Sequence, residues 1–357
     1  MCHQLPTHMS EKRPLNVGVH GMGWAAGAHI NTLKQVAGAR VTAACSRREL
    51  DGTKLQNEFG IEITPYQHYE EMLANPDIDI IDICSPHKFH AEQAIAAANA
   101  GKDIILEKPI ALTWDEALEL RNAVLDNGVR VCVCFEVRFS EQADTLRSTL
   151  DESLIGDVHY AEVDYHHGIG PESHLFSWNV REDWGGSSLL TAGCHALDLL
   201  LYYIDQPVEE VTSYSTKTSR EGFEPYEYDT TSVTLLSFAD GTIGKVASII
   251  DCVQPYYFRM QLTGSCGTVI DDEFYSEKID GLDSDRWSHF ATQLVDSADV
   301  EDHPYLPQFQ DFVDSLHQNK TMSRTDFETG FESHRVIFAA DRSAKEGRPV
   351  QMSEFEI

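Results

Sequence analysis

The fold is decided by residues 15–27, which read LNVGVHGMGWAAG. The apolar run Leu15–His20 predicts a strand, and a turn follows it in the spacing G-x-G-x-x-A. Glycines at such a turn allow close backbone approach, so a pyrophosphate can rest on the amides that begin the next helix. An incidental glycine turn is the alternative, but a strand before and a helix after it favour a dinucleotide site. The residues expected to contact the dinucleotide here are Gly21, Met22, Gly23, Trp24 and Ala25.

Short apolar strands alternate with amphipathic helices from this turn onward to about Phe135. Thr113 and Glu116 have the side chains of a helix capping box, and helices are predicted over 91–100 and 115–125. Strands separated by helices imply parallel pairing, so residues 15–135 are predicted to form a doubly wound parallel sheet. The predicted strands are Leu15–His20, Val41–Cys45, Ile78–Cys84, Asp103–Glu107 and Val129–Phe135.

The pattern changes after about residue 136, where strands alternate or become rich in aromatic residues. Turn signals such as Ala239-Asp240-Gly241 separate these strands, which predicts a second α/β domain over 136–325 with a large, mainly antiparallel open sheet. Residues 1–14 are predicted to be a disordered leader, and 326–357 a C-terminal helix and tail that pack back on the first domain. Helices are expected over 140–151, 305–318 and 326–345. Strands are expected over 158–167, 208–215, 232–238, 242–250 and 259–263, and site-covering loops over 168–184 and 271–302.

The end of the second strand bears on the choice of dinucleotide. NAD-binding chains place a carboxylate there for the ribose hydroxyls, whereas this chain has Ser46-Arg47-Arg48. One hydroxyl and two guanidinium groups suit a 2′-phosphate, so the sequence favours NADP over NAD. The alternative is that Arg47 and Arg48 are simply exposed residues at a helix start.

Lys108 stands at the carboxyl end of another predicted strand, within Glu107-Lys108-Pro109. In a sheet that also holds a dinucleotide, such an amine can polarise an oxygen beside the nicotinamide ring, and Glu107 is expected beside the cofactor. The strand before it ends in Ser85-Pro86-His87-Lys88-Phe89-His90, at the edge where ligands gather in such sheets. His87 is expected to touch cofactor or substrate, and His90 to hydrogen-bond within its own helix. The cofactor-binding set from this edge is Ser85, Pro86, His87, His90, Glu107 and Lys108.

A polar stripe interrupts a leucine-rich segment of the second domain. If residues from about Ser188 are helical, Thr191 and His195 lie one turn apart on one face with Asp198 next. Buried polar groups need partners or a polar cavity, so His195 is predicted to be functional and Asp198 to be an orienting or anchoring group. The adjacent residues His166 and His167 face opposite sides of a strand, so no metal site is predicted.

Composition narrows the classes of partner. The chain has 357 residues with 27 basic and 58 acidic side chains, a net charge of −31. Such a charge repels nucleic acid and anionic membranes, and no run approaches the roughly 18 apolar residues of a membrane helix. The dispersed acidity favours a salt-rich cytosol and a halophilic source, with an acidic mesophilic enzyme as the alternative. The eight cysteines lie largely in apolar runs without a Cys-x-x-Cys pair, which indicates a reducing compartment and a soluble, cytoplasmic protein.

Taken together, the motifs resemble the Gfo/Idh/MocA family, named for glucose–fructose oxidoreductase, inositol dehydrogenase and a rhizopine-catabolism protein. The similarity spans about Leu15 to Val350. The matching landmarks, in order, are Gly21-x-Gly23, Ser85-Pro86 with His90, Glu107-Lys108-Pro109, Arg138-Phe139, Gly185-Gly186 and Gly193-x-His195-x-x-Asp198.

This resemblance implies an N-terminal Rossmann domain and a C-terminal α/β domain whose open sheet often makes a homodimer or homotetramer. It implies NAD(P)-dependent hydride transfer at a hydroxyl or carbonyl carbon of a sugar, cyclitol or related polyol. Lys108 would be the catalytic lysine and His195 the acid/base, with Thr191 where many relatives have Asp. The residues expected to meet the substrate are Lys108, Arg138, His167, Trp178, Arg181, Thr191 and His195.

Two alternatives stay open at this point. One is a member of the same family that acts on a non-sugar carbonyl or diol, decided by the 168–184 loop. The other is a catalytically silent NADP-binding sensor or scaffold, which Thr191 motivates and the presence of both Lys108 and His195 opposes.

Overall fold

A computed structural model describes residues 13–297 and 299–356. The predicted leader 1–14 lies almost wholly outside the described residues, and Arg13 forms an ion pair with Asp79 (2.6 Å). Within the described chain, the first sheet has six strands in the order β3-β2-β1-β4-β5-β6, and all of its pairings are parallel. Its strands are β1 Leu15–His20, β2 Ala39–Cys45, β3 Thr64–Tyr66, β4 Ile80–Ile83, β5 Asp103–Leu106 and β6 Val131–Val133.

Helices connect these strands and cover both faces of the sheet, as the alternating pattern predicts. The Thr113–Glu116 capping box is confirmed: the Thr113 hydroxyl accepts from the Glu116 amide and the Glu116 carboxylate accepts from the Thr113 amide. The helices are α1 Trp24–Leu33, α2 Gly52–Phe59, α3 Tyr69–Leu73, α4 His90–Asn99 and α5 Trp114–Asn127.

The second sheet is open and mainly antiparallel, also as predicted. Its order is β14-β13-β12-β11-β7-β10-β9-β8-β15, and β7 with β10 is its one parallel pair among the described strands. One face packs on a leucine-rich helix, so the burial of its strands alternates. The strands are β7 Val158–His166, β8 Val208–Thr216, β9 Thr231–Phe238, β10 Ile243–Ile249, β11 Tyr257–Gly264, β12 Gly267–Ile270, β13 Glu273–Ser276, β14 Ser288–His289 and β15 Val350–Gln351.

The segments between these strands hold the remaining helices. Residues 189–193 form a π-helical turn that continues into the leucine-rich helix α9, Cys194–Tyr203. The predicted helix from Ser188 is therefore wider at its start than a regular α-helix. The expected loop 271–302 is wrong in part, because it contains β13 and β14. The helices are α6 Glu141–Asp151, α7 Phe176–Asn179, α8 Glu182–Gly185, α9 Cys194–Tyr203, α10 Tyr305–Gln318 and α11 Phe327–Glu346.

The end of the chain returns to the first domain earlier than the predicted boundary at 325. Helix α10 has Tyr305, Phe309, Phe312 and Leu316 on one face, and these pack into the core under β1 and α1. Helix α11 then lies against both domains, and β15 pairs with β8 in the second sheet. Residues 305–318 were predicted within the second domain, whereas the apolar face of α10 is buried against α1; the domain boundaries themselves stay a prediction.

Candidate functional site

A cavity of about 1110 Å³ opens at the carboxyl edge of the parallel sheet. Strand order reverses there between β1 and β4, and ligands bind at such switch points in doubly wound sheets. The second domain closes the other side with β7, the 168–178 segment and the start of α9, and residues 293–297 and 299–305 also line the cavity. Every residue predicted to bind cofactor lines this cavity: Gly21, Met22, Gly23, Trp24, Ala25, Ser46, Arg47, Arg48, Ser85, Pro86, His87, His90, Glu107 and Lys108.

The turn after β1 has the geometry of a phosphate cradle. Gly21 has φ +91°, and a Cβ at this position would lie 2.6 Å from the backbone nitrogen of Ser85. Only glycine fits there, because any other residue would be strained at this positive φ and its Cβ would clash with the backbone of Ser85. Helix α1 begins at Trp24 directly beyond Gly23, so its unpaired amides face the cavity side. The residues present therefore fit a dinucleotide pyrophosphate.

The basic edge predicted for a 2′-phosphate lies beside this cradle. Arg47 and Arg48 are both exposed at the end of β2. Arg48 Nη2 donates to the Met22 carbonyl (3.0 Å), and the Arg47 guanidinium stands 5.0 Å from the Phe89 ring centroid. The Ser46 hydroxyl accepts from the Arg48 amide at 3.2 Å. Arg48 is thus bonded to the turn and Arg47 lies against Phe89, while both side chains stay exposed.

The two histidines after β4 have different surroundings. His90 Nε2 lies 2.7 Å from the Ser85 carbonyl and its Nδ1 lies 2.7 Å from the Pro109 carbonyl. His90 therefore ties two cofactor-edge loops together, and its partners lie outside its own helix, contrary to the prediction. His87 is buried with its ring edge-on to Trp178, 4.8 Å between centroids, and burial lowers its pKa well below the usual value. It is a neutral ring on the cavity wall.

Lys108 connects the two domains inside the cavity. It is half-buried, and its Nζ donates to the backbone carbonyl of Thr191 at 3.3 Å. Burial lowers the pKa of Lys108, but nearby groups led by Cys194, Glu107 and Glu136 outweigh it, and the pKa is raised. The amine is therefore a fixed positive charge.

Glu107 lies at the centre of a buried network behind Lys108. Its carboxylate accepts from the Tyr305 hydroxyl (3.0 Å) and lies 3.1 Å from His29 Nε2. The other ring nitrogen of His29 lies 2.9 Å from Asp82. Burial lowers the pKa of His29, yet Asp82 and its neighbours raise it well above the usual value, so His29 is an imidazolium between two carboxylates. Burial likewise raises the pKa of Glu107, but the bond from His29 leads the groups that hold it below its usual range.

The same histidine accounts for two sets of possible metal ligands within the described residues. One set is His29 with Asp82 and Cys84, and the other is His29 with Glu107 and Cys134. Both ring nitrogens of His29 already lie at hydrogen-bond distance from a carboxylate, so hydrogen bonding alone accounts for this cluster. The absence of a resident metal stays a prediction.

His195 lies across the cavity from the nucleotide turn, at the start of α9. Its Nδ1 is buried without a hydrogen-bond partner, which leaves Nε2 as the nitrogen that can meet a ligand. Burial lowers its pKa to about 4, with Lys108 and His303 acting in the same direction and Glu136 opposing them. At neutral pH the ring is therefore a neutral base beside a fixed ammonium group.

Sequence reasoning missed two residues at this position, Glu136 and His303. Glu136 opens a 3₁₀ turn that begins three residues after the end of β6. Its Oε1 lies 3.8 Å from His195 Nε2 and 2.9 Å from His303 Nδ1. A charged residue at the end of an apolar strand was the available signal for Glu136. His303 comes from a segment that reads only as a polar loop, so nothing local marked it.

The structure changes the role expected for Thr191. Its hydroxyl lies 2.9 Å from Asn179 Oδ1 and 2.9 Å from the Gly185 carbonyl, so its single proton is donated within the second domain. Thr191 lines the cavity, but it is its backbone carbonyl that meets Lys108. The catalytic role expected for its hydroxyl stays a prediction, while its backbone carbonyl accepts from the lysine.

Two arginines expected at the substrate lie outside the cavity lining. Arg138 is buried and bidentate on Asp198, at 2.6 and 2.7 Å, so Asp198 is the anchor that the sequence suggested. Arg181 is exposed and pairs with Asp183 at 3.0 Å. Both guanidinium groups pair with protein carboxylates, and a contact of either with substrate stays a prediction.

The remaining predicted substrate residues, His167 and Trp178, do line the cavity. His167 Nδ1 lies 3.0 Å from the Tyr165 hydroxyl, and the Tyr256 ring stands edge-on to His167 at 5.5 Å. Burial lowers the pKa of His167, so this wall is aromatic and uncharged. It can pack on the carbon face of a ring and offer hydroxyl and imidazole hydrogen bonds.

Comparison with known proteins agrees with this geometry. Residues 15–135 match the model of the oxidoreductase family with the NAD-binding Rossmann fold, and residues 143–270 match the Gfo/Idh/MocA C-terminal domain. The chain belongs to the Gfo/Idh/MocA family of oxidoreductases and is an NAD(P)-dependent dehydrogenase. No described helix is long and apolar enough to cross a membrane.

Three relatives illustrate the range of substrates. The myo-inositol 2-dehydrogenase of Thermotoga maritima is 23% identical over 95% of this chain and 99% of its own. A D-xylose 1-dehydrogenase (NADP(+)) of Haloferax volcanii is 25% identical, covering 89% of this chain and 94% of its own. Among solved structures, levoglucosan dehydrogenase in complex with NADH and levoglucosan has a TM-score of 0.84, with 22% identity over 95% of this chain and 100% of that one.

Proposed function

We propose that this protein is an NADP-dependent oxidoreductase that interconverts a hydroxyl and a carbonyl on a sugar, cyclitol or related polyol. The observation that supports this most directly is the presence of Lys108 and His195 in one cavity with the glycine turn at Gly21. A bound nicotinamide dinucleotide supplies the hydride acceptor or donor. The turn at Gly21 and the start of α1 would hold its pyrophosphate.

The chain's own groups perform the polar part of the reaction. The Lys108 ammonium, fixed by the Thr191 carbonyl, holds the substrate oxygen and stabilises the negative charge that develops on it. His195 Nε2 takes the hydroxyl proton during oxidation and returns it during reduction. His195 suits the base role because it is neutral at physiological pH.

Preference for NADP is supported by the basic edge. Arg47 and Arg48 are held beside the turn, and the Ser46 hydroxyl lies with them on the cavity wall. The Haloferax relative carries NADP(+) in its name, whereas the levoglucosan dehydrogenase structure holds NADH. These two relatives therefore differ in the cofactor that their names carry. The two guanidinium groups of this chain favour the 2′-phosphate that distinguishes NADP from NAD.

The substrate end of the cavity favours a neutral molecule. Among the described lining residues the only Lys or Arg side chains are Arg47, Arg48 and Lys108, and the two arginines lie at the nucleotide end. Glu136 and Glu172 line or border the substrate end without a paired arginine. A carboxylate or phosphate on the substrate would face repulsion there, so aldoses and cyclitols fit better than sugar acids.

Substitution of Lys108 tests the proposed mechanism. Lys108→Met keeps the aliphatic stem and removes the charge, so turnover falls by about 10²- to 10³-fold while NADPH binding stays within about twofold. Lys88→Met is the matched control, since Lys88 lies on the same loop edge but is paired with Asp183 outside the cavity lining. Steady-state kinetics measure turnover, and fluorescence titration measures NADPH affinity. Unchanged turnover in Lys108→Met would contradict the catalytic role of Lys108.

A substrate panel tests the class. Reduction of NADP⁺ and NAD⁺ is followed with aldoses, cyclitols and their carboxylated counterparts at low and high salt. Neutral compounds should be oxidised with a kcat/KM at least about tenfold above that of the acid of the same ring. Preference for the sugar acids would refute the neutral-substrate proposal, and preference for NAD⁺ would refute the argument from Arg47 and Arg48.

The outer face of the second sheet supports a homo-oligomer. Tyr214, Val233, Leu235 and Ile243 are exposed on neighbouring strands of that face, with Tyr214 at 72%. Exposed apolar groups in a contiguous row favour burial against a second copy. Light scattering after gel filtration should give a dimer or tetramer, and Leu235→Glu should lower the mass.

The acidic surface and free thiols suggest where the protein works. The net charge of −31 is dispersed, which supports function in a salt-rich medium. All described cysteines are free, which supports a reducing, cytoplasmic setting.

A further inference from the structure

Glu136 is a buried carboxylate that faces two imidazole rings. The residue is 1% exposed, and no described backbone amide or hydroxyl donates to either of its oxygens. Its Oε1 lies 2.9 Å from His303 Nδ1 and 3.8 Å from His195 Nε2. A buried charge without partners is costly, so a carboxylate kept here between two rings indicates a use for its charge.

The carboxylate is held in its ionised form. Burial raises the pKa of Glu136, but His195 and His303 outweigh burial, and the pKa is lowered. The other charged or titratable groups that face His195 are Lys108, His303 and Glu107. Lys108 and His303 oppose protonation of His195, while Glu136 and Glu107 favour it. Among the described residues, Glu136 is the carboxylate that comes within 4 Å of a ring nitrogen of His195.

We infer that Glu136 is a positioning residue for His195: its carboxylate stabilises the imidazolium that forms when His195 holds the substrate proton. This inference rests on the proposed function and adds to it a buried carboxylate that faces the acid/base histidine. In oxidation the substrate O–H bond breaks and its proton binds His195 Nε2. The C–H electron pair leaves with its hydrogen as hydride to the nicotinamide, and the C=O bond forms.

Distance and anchoring set how Glu136 acts. At 3.8 Å the contact is longer than a hydrogen bond, so the carboxylate acts through its charge on a ring whose Nε2 stays available to substrate. His303, 19% exposed at the side chain, places its Nδ1 2.9 Å from the same oxygen and lines the cavity.

Kinetics of charge-removing variants test the inference. Glu136→Gln should lower kcat by about 10- to 10³-fold with KM and NADPH affinity within about twofold, because the charge matters when the proton is on His195. Glu136→Asp should restore part of the loss, and Glu152→Gln, an exposed residue, is the matched control. In a His195→Gln background, adding Glu136→Gln should change kcat by less than about twofold. Full additivity of the two losses would overturn the link to His195.

A readout without turnover separates this inference from the proposed function. With histidine labelled at Cε1, the His195 signal is assigned by its loss in His195→Gln. In the wild type this signal should move toward imidazolium as pH falls toward about 4, and in Glu136→Gln it should move only at lower pH. Identical titrations would overturn the inference. A shifted titration together with no oxidation of any polyol would instead refute the proposed function and leave the charge coupling standing.

Discussion

Replacing Arg138 by methionine tests whether this arginine belongs to the scaffold or to the substrate site. Its guanidinium donates to both oxygens of Asp198 and to the Arg324 carbonyl (3.0 Å), with Arg138 5% and Asp198 1% exposed. Methionine keeps most of the stem but leaves Asp198 with Ser333 as its hydroxyl donor (2.7 Å). Breaking a buried ion pair from one side costs about 3–5 kcal/mol.

This cost converts into a measurable melting temperature. For a chain of this size roughly 2 °C accompanies each kcal/mol, so Arg138→Met should melt about 5–10 °C lower. Substrate KM should stay within about twofold, because the guanidinium lies outside the cavity lining. Calorimetry gives the first quantity and steady-state kinetics the second.

Two further variants make the result decisive. Arg138→Met combined with Asp198→Leu removes both charges and should recover most of the lost stability, since apolar groups can replace a buried pair. Arg121→Met breaks a partly exposed pair with Glu328 and should cost less than about 1 kcal/mol. A rise in KM of more than about tenfold with an unchanged melting temperature would refute the reasoning and indicate that Arg138 binds the substrate.

Three other predictions concern the cofactor, pH and salt. Arg47→Ala with Arg48→Ala should weaken NADPH binding by roughly 10- to 100-fold and NADH binding by less than about threefold in fluorescence titrations; equal losses would contradict the 2′-phosphate role. Burial lowers the pKa of His20, His195 and His334 to about 4. Because the unfolded chain binds protons from about pH 6.5 downward, the free energy of unfolding should fall between pH 6.5 and 4 by roughly 1.4 kcal/mol per unit for each ring, as urea titrations at several pH values can show. Raising KCl from about 0.1 M to about 2 M should raise the melting temperature by screening the net charge of −31, and a lower melting temperature in salt would contradict that reading.

The fold was largely predictable because its signals are local. Strand β1 and the turn at Gly21 carry their structure in adjacent residues, and the Thr113 capping box begins α5 where the pattern placed it. Strand β3 was missed because Thr64-Pro65-Tyr66 is three residues long with a proline, which reads as a turn and occurs here at a sheet edge. Helix α10 was recognised, but sequence periodicity does not say which core its apolar face enters.

The candidate site was predictable to the extent that each part lies at a strand end. Glycine, serine and lysine residues after β1, β4 and β5 share one edge because the strands are parallel. Glu136 and His303 meet although they are far apart along the chain, and no spacing rule could pair them. Arg138 was placed at the substrate because a charged residue in a motif suggests a ligand, whereas its partner Asp198 becomes visible only in three dimensions.

The return of α10 to the first domain has a consequence for biosynthesis. The core beneath β1 and α1 is completed by Phe309, Phe312 and Leu316, which are made long after the glycine turn has left the ribosome. Domains often fold as they emerge, but this nucleotide-binding half lacks part of its interior until nearly the whole chain has been synthesised. Its apolar surface stays uncovered through translation of the second domain, so the nascent chain should depend on chaperone binding during that interval, and a truncated chain ending near residue 135 should aggregate.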